Sequence, residues 1–437
     1  GAWIKTREGR AIKLEGNPHH PISGGALCSR GHSALQGLYD PDRLPQPMRR
    51  SGESYEVISW DEAEALLLEG VQGAGADVVL ISGRTGPTLT GLQERLIEAV
   101  GGRRIEYDAV SEAPLREAAR LVFGLDAVPS FDFESAGIVF SFGADFLGSW
   151  ISPVEHTRGF ARASGTDETF RKSRFVFLGP RLSLTGQNAD EWVPIEAGTE
   201  GLVALAIANI IAANGGDAGP YTELLGAHDP QTVSDQVGIS VDTLDELASL
   251  FVSEGPGLAV GPGIAGQGHN ATAVNVAVLV LNTVGGAVGQ TLFPHQAHLS
   301  TTTAPAGDLL AIVDSMSAGQ IQALILHGTN PAYTLPPAAG FSEALASVPF
   351  TVAITDRMDE TASHADLVLP DRHFLEAWGD SNPRPNLWAI QQPAMRPVPH
   401  FASRASGDVL LSLARGLGQD LGAETFYDYL RMSWLDL

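Results

Sequence analysis

Short, nearly continuous apolar runs recur along this chain, each closed by a glycine or a polar residue and followed by a helical stretch. The runs are Val78–Ser82, Ile138–Gly143, Phe175–Gly179, Leu258–Gly261, Ala323–Gly328 and Val352–Asp356. Apolar runs without alternation suit strands buried on both faces. Leu89–Val100, Glu112–Val122, Glu200–Ala213, Asp242–Phe251, Thr272–Val284 and Asp308–Ser317 read as the helices between them. Ser59 or Asp61 is expected to cap a further helix running to about Val71. The alternation predicts an α/β protein with parallel sheets and right-handed crossovers. Ligands in such sheets sit at the carboxyl ends of strands, where these glycines lie.

Before this pattern, turn formers dominate: Asn17-Pro18-His19-His20-Pro21, Gly24-Gly25 and Asp40-Pro41-Asp42-Arg43. Residues 1–54 therefore read as a small N-terminal β-rich lobe. Residues 55–150 and 335–437 are expected to form a discontinuous α/β domain, and residues 151–334 a Rossmann-like α/β domain. The longest apolar stretches, Leu202–Ala213 and Ala271–Leu281, fall short of the ~18–20 residues a membrane span needs and read as buried helices. The opening Gly1-Ala2-Trp3-Ile4-Lys5 shows no secretory signal pattern.

Charge narrows the class. Fifty-one acidic residues against 27 basic give a net charge of −24, which repels nucleic acid. The single cysteine, Cys28, permits no internal disulfide and no four-cysteine cluster built from this chain alone. By itself Cys28 reads as a small buried hydrophobe.

Local motifs are weak. Gly261-Pro262-Gly263-Ile264-Ala265-Gly266 follows a strand and precedes a helix, as a dinucleotide-binding turn does. Its ribose-binding acid belongs about 20 residues on, yet the next acid after Gly266 is Asp308. A tight turn packed against the sheet is the expected role. His295 and His298 have helical spacing without a signalled third ligand, so no zinc site is expected. No G-x-S-x-G elbow occurs.

Longer motifs are more specific. Gly16-Asn17-Pro18-x-x-Pro21, Gly25-x-Leu27-Cys28-x-Arg30-Gly31 and Tyr39-Asp40-Pro41-Asp42-Arg43-Leu44 open the series. Leu178-Gly179-Pro180-Arg181, Ala197-Gly198-Thr199-Glu200 and Leu281–Gly289 follow. His327-Gly328-Thr329-Asn330-Pro331, Thr361-Ala362-x-x-Ala365-Asp366-x-x-Leu369-Pro370 and Glu376-x-Trp378-Gly379 complete it. In this order the chain resembles the large subunits of molybdopterin oxidoreductases. The resemblance implies that family's fold, with Rossmann-like parallel-sheet domains and the small lobe. It also implies that Cys28 stands where active members carry the fourth ligand of an iron–sulfur cluster, after three cysteines absent here. Gly179 replaces the acid expected before Pro-Arg. Ser111 stands near the metal-ligand position and also suits the N-cap of the helix after it. Residues after Pro397 read as one or two helices, where active members close a barrel-like domain over the pterins.

These departures lead to an expectation of no cofactor in this chain, with a vestigial pterin cleft at Ser111, Arg181, Gly261, Gly263, Gly266 and Asn330. No catalytic residue and no metal ligand are expected, Cys28 being a lone remnant. Among family branches, the chain resembles the molybdopterin-like half of the large iron–sulfur subunit of alternative complex III. That implies a scaffold in a membrane-bound quinol-oxidising complex, at the periplasmic face of the bacterial cytoplasmic membrane. Implied partners are an iron–sulfur module, a quinol-binding membrane subunit and cytochrome c-type subunits. Asn382-Pro383-Arg384-Pro385 and Gln392–Pro399 are expected as extended docking arms. The alternative is an active molybdopterin oxidoreductase catalytic subunit binding molybdenum or tungsten.

Overall fold

The computed structural model describes residues 1–165, 172–263, 268–297, 303–435 and 437. The chain divides into two compact units. One holds Gly1, Gly16–Cys28 and Glu112–Ser300; the other holds Ala2–Glu15, Ser29–Ser111 and Thr301–Leu437. The dividing points fall at 111/112 and 300/301, where the sequence pattern suggests 150/151 and 334/335. Strand pairing sets them. Ile138–Phe142 lies between Arg174–Leu178 and Gly257–Val260, whereas Ala323–His327 lies between Val78–Ser82 and Phe350–Thr355.

The discontinuous unit is built on a seven-stranded sheet. Its order is Ser54–Val57, Met48–Ser51, Leu367–Pro370, Phe350–Thr355, Ala323–His327, Val78–Ser82 and Arg103–Glu106. The last five are parallel, and the first two form an antiparallel extension. Val78–Ser82 and Ala323–His327 are buried at every position, which is why their runs do not alternate. Trp60–Ala74 and Pro87–Ala99 are among the helices covering the sheet. Ser59 caps the first of these by accepting from the Glu62 amide.

The helix Pro87–Ala99 is capped from elsewhere in the chain. Its own N-cap position is Gly86, which has no side chain to do so. Asp380 comes from the hairpin strand Gly379–Arg384 and accepts from the Thr88 amide at 3.3 Å and from the Thr88 hydroxyl. A Cβ on Gly86 would lie 2.1 Å from the Asp380 carbonyl oxygen, so only glycine admits this approach. The Trp434 indole also donates to Asp380, at 3.0 Å, tying the last helix to the same carboxylate. Asp380→Ala is expected to cost about 1–3 kcal/mol, the range for a lost cap and an unpaired buried donor. A denaturant titration followed by tryptophan fluorescence checks this; an unmoved midpoint would count against the capping role.

The other unit holds a four-stranded, wholly parallel sheet in the order Glu191–Val193, Arg174–Leu178, Ile138–Phe142 and Gly257–Val260. Glu200–Ala213 and Ala271–Val284 are apolar on most faces and pack in its core, as their composition predicts. Among the described residues, no helix is long and apolar enough to cross a membrane.

Two expectations change. Asn382–Pro385 is not an arm: Asn382–Arg384 ends one hairpin strand and Pro385 begins its turn, with the Asn382 side-chain amide donating to the Arg384 and Leu387 carbonyls at 2.7 and 2.9 Å. The 392–399 segment is also tied down, with the Ala394 amide on the Leu375 carbonyl and the Val398 amide on Glu376. Ser111 does not occupy the N-cap position of Ala113–Phe123. The helix opens at Ala113, with Pro114 as its second residue, so Glu112 takes the N-cap position, without a side-chain cap bond.

Candidate functional site

The carboxyl ends of the parallel strands carry most of the residues singled out by sequence, distributed over both units. Arg181, Gly261 and Gly263 belong to the four-stranded unit; Ser111 and Asn330 belong to the seven-stranded one. Gly266 and His298 lie outside the described residues.

In the four-stranded unit, Gly143, Gly179 and Gly261–Gly263 follow three adjacent strands. Gly143 and Gly261 have φ of +79° and +144°, which side-chain-bearing residues rarely adopt. A Cβ on Gly263 would fall 1.8 Å from the Gly143 carbonyl oxygen. The Gly263 amide donates to the Phe142 carbonyl at 3.3 Å, so the turn packs onto the neighbouring strand end. Gly179 is engaged on both sides: its amide donates to Val193, and its carbonyl accepts from the Trp192 indole at 3.0 Å. Arg181 is exposed just beyond it. One acceptor at this edge is unused. Asp145 Oδ1 is buried without a hydrogen-bond partner among the described residues. Sequence reasoning missed Asp145, although its place two residues after Gly143 at a strand end was a usable signal.

In the seven-stranded unit, Asn330 holds two loops together. Its carbonyl oxygen accepts from the Thr361 amide at 3.1 Å and from the Thr361 hydroxyl at 2.7 Å, and its amide donates to Glu360 at 2.7 Å. Thr361 in turn accepts from the Ala332 amide. Two motifs far apart in sequence thus close on each other. Ser111 Oγ lies 3.2 Å from Thr303 Oγ1.

A buried polar network crosses the ends of this sheet. His327 lies 3.1 Å from the Gln93 amide nitrogen and 3.3 Å from Asp371. Arg104 donates to Gln93, Ser82 and Glu106 at 2.9, 3.1 and 3.0 Å. Burial pushes the Glu106 carboxyl above its ordinary value, with Arg104 opposing it through a hydrogen bond and its charge. The raised value means Glu106's contribution to stability is full below the unfolded carboxylate value and fades as pH rises through the folded one.

A second unforeseen pair joins two of the quoted motifs. Arg43 Nη2 meets Glu376 Oε2 at 2.8 Å with both side chains fully buried, and Arg43 Nη1 donates to the Leu38 carbonyl. Arg43 also stacks over the Phe401 ring at 4.5 Å.

Comparison with known proteins places this architecture. The model for molybdopterin oxidoreductases matches residues 43–380, and the model for the molybdopterin oxidoreductase Fe4S4 domain matches residues 3–40. The chain belongs to the molybdopterin oxidoreductase family. It is 31% identical over 99% of its length to the molybdopterin-binding-like subunit of menaquinone reductase from Nitratidesulfovibrio vulgaris. It is 24% identical over 96% of its length to YoaE, a probable oxidoreductase of Bacillus subtilis. The chain spans only 65% and 66% of the lengths of these two relatives. Acetylene hydratase from Pelobacter acetylenicus shares the fold, with a TM-score of 0.77 at 15% identity over 96% of this chain and 67% of that one.

These matches correct one expectation. The chain carries an iron–sulfur domain and a molybdopterin domain of the family, which overturns the reading that no cofactor belongs to it. Departures at single positions, such as Gly179, do not outweigh family character across 43–380. The donor sets differ in fit. A four-thiolate cluster is not completed by these residues, because Cys28 supplies the one thiol. Among the described residues, no group of three or more His, Cys, Asp or Glu is arranged to hold a metal ion.

Proposed function

We propose that this chain is the molybdopterin-domain subunit of a membrane-associated, quinol-linked oxidoreductase complex. The observation that carries the reading is 31% identity across 99% of the chain to a menaquinone reductase subunit. Within that class we assign it to the alternative complex III type, at the periplasmic face, beside an iron–sulfur module, a quinol-binding membrane subunit and cytochrome c-type subunits. The runs His327–Pro336 and Leu375–Asp380 support that finer assignment. Asp145 and Arg181 are the residues proposed to hold a pterin nucleotide on the four-stranded unit. The orphaned Asp145 oxygen would accept from pterin N–H groups, and Arg181 would oppose phosphate charge. When bound, the group supplies a redox-active metal centre. Ser82, Gln93, His327 and Asn330 serve as structural polar partners, since their side chains bond within the chain.

The test is purification of the complex holding this chain from its own membranes. Quinol-driven reduction of an added cytochrome c should co-purify with the chain and disappear when the chain is deleted. Isolation of the chain in an assembly without quinol activity would sink the proposal. Metal analysis of the same preparation decides the second reading, which the pterin-domain match favours: stoichiometric molybdenum or tungsten would make this the catalytic subunit.

A further inference from the structure

We propose that the cleft between the hairpin Gly379–Arg384/Leu387–Gln391 and the last helix, Phe426–Leu435, seats a partner subunit's segment presenting an apolar side chain beside a carboxylate. The proposal rests on the chain being part of a complex.

The helix has two apolar faces. Phe426, Tyr429 and Leu430 point into the core, as one stripe of an amphipathic helix does. Tyr427, Leu430, Arg431, Trp434 and Leu435 follow helical spacing i, i+3, i+4, i+7, i+8 and line the cleft, with Ile390 opposite. Ile390 shares the outward face of its strand with Trp388, two residues away. Leu435, Ile390 and Tyr427 are 84%, 53% and 40% exposed. Contiguous exposed apolar surface of this kind marks a contact site. Trp378 packs on Tyr427 at 4.7 Å and fixes one wall.

Charge chooses the occupant. Among the described residues, Arg431 is the one charged residue lining the cleft, and its guanidinium lies over the Tyr427 ring at 5.6 Å. Among the described residues it forms no ion pair, although the chain has 51 acidic residues for 27 basic ones. Five N–H donors at an apolar cleft suit a carboxylate from outside. Shape favours a polypeptide. The cleft holds about 210 Å³, below the ~300–1,000 Å³ of small-molecule sites and suited to a few side-chain groups. A lipid bilayer is disfavoured, because the surface is concave and a chain of net charge −24 is repelled by anionic headgroups.

Photo-crosslinking in the intact complex tests this. A benzophenone side chain is placed at Ile390 or Leu435, with Val252, exposed in the other unit, as control. We expect adducts at 390 and 435 with a different polypeptide, at a site where an aliphatic or aromatic residue adjoins Asp or Glu. Arg431→Glu should lower the yield at least about tenfold, as loss of a close charge pair does, while Arg431→Lys retains most of it. The thermal midpoints of the free variants should match the parent, which separates lost docking from lost folding. Adducts with phospholipid, adducts with this same chain, or yields equal to the 252 control would each overturn the proposal. If quinol activity persists in such a preparation, the docking assignment alone falls; if that activity is absent, the functional reading falls on its own test.

Discussion

Replacing Glu376 with alanine should lower the stability of the seven-stranded unit by about 3–5 kcal/mol, the range for stranding one member of a buried ion pair. Glu376 is 0% exposed and its partner Arg43 is 1% exposed, so neither charge can be rehydrated where it stands. Glu376 Oε1 also accepts from the Val398 amide at 2.7 Å, and that donor would lose its partner. Arg43 would keep its bond to the Leu38 carbonyl and its stacking on Phe401, which do not neutralise it. Such a loss is a large share of the ~5–15 kcal/mol that holds a typical domain folded. The double variant Arg43→Met/Glu376→Leu should be less damaged than either single change, because it removes both buried charges. Hydrogen exchange of core amides in Ala323–His327, read against denaturant, reports on this unit alone. A single-variant cost under ~1 kcal/mol would show that the pair is not held dry.

Asn282→Ala is expected to open the edge of the four-stranded sheet. Among the described residues, Gly257–Val260 has a neighbouring strand on one side only. On its free side, Asn282 stands in for a strand: its carbonyl oxygen accepts from the Ala259 amide at 2.9 Å, and its amide donates to the Ala259 carbonyl at 2.8 Å. A further bond to the Val278 carbonyl, at 3.0 Å, fixes the side chain against its own helix. Ala259 and Asn282 are both fully buried, so water cannot replace these bonds. Two orphaned backbone groups at roughly 1–3 kcal/mol each predict a loss of about 2–6 kcal/mol. The specific readout is exchange of the Ala259 amide, which should accelerate before the rest of the sheet. Unchanged protection at Ala259 would refute the strand-substitute role.

Both residues sit inside motifs that the sequence flagged for another reason. Arg43, Glu376 and Asn282 belong to stretches quoted only for the order of motifs that carries the family resemblance. Asn330 was named as a cleft residue, yet its side chain is committed to Thr361 and Glu360. A motif records that a residue is needed; it does not separate contact with a ligand from contact between two loops. Buried strands were legible because dual-face burial demands unbroken apolar runs: Val78–Ser82 forms as read, and Ile138–Phe142 ends one residue earlier. Edge strands were not. Arg103–Glu106 reads Arg-Arg-Ile-Glu and carries no apolar run, because only part of it faces the core. Met48–Ser51 and Ser54–Val57 are equally polar, yet they extend the large sheet.

From the sequence alone came the α/β class, the positions of the central strands and helices, and the family, since these follow from local periodicity and from motif order. Only the tertiary structure decided that Arg43 pairs with Glu376, that Asp380 caps the helix after Gly86, and that Asn282 completes a sheet edge. Each joins residues whose side chains are polar yet buried. Such groups must find a partner away from water, and the partner is chosen by where the chain returns in space, which spacing along the chain does not record.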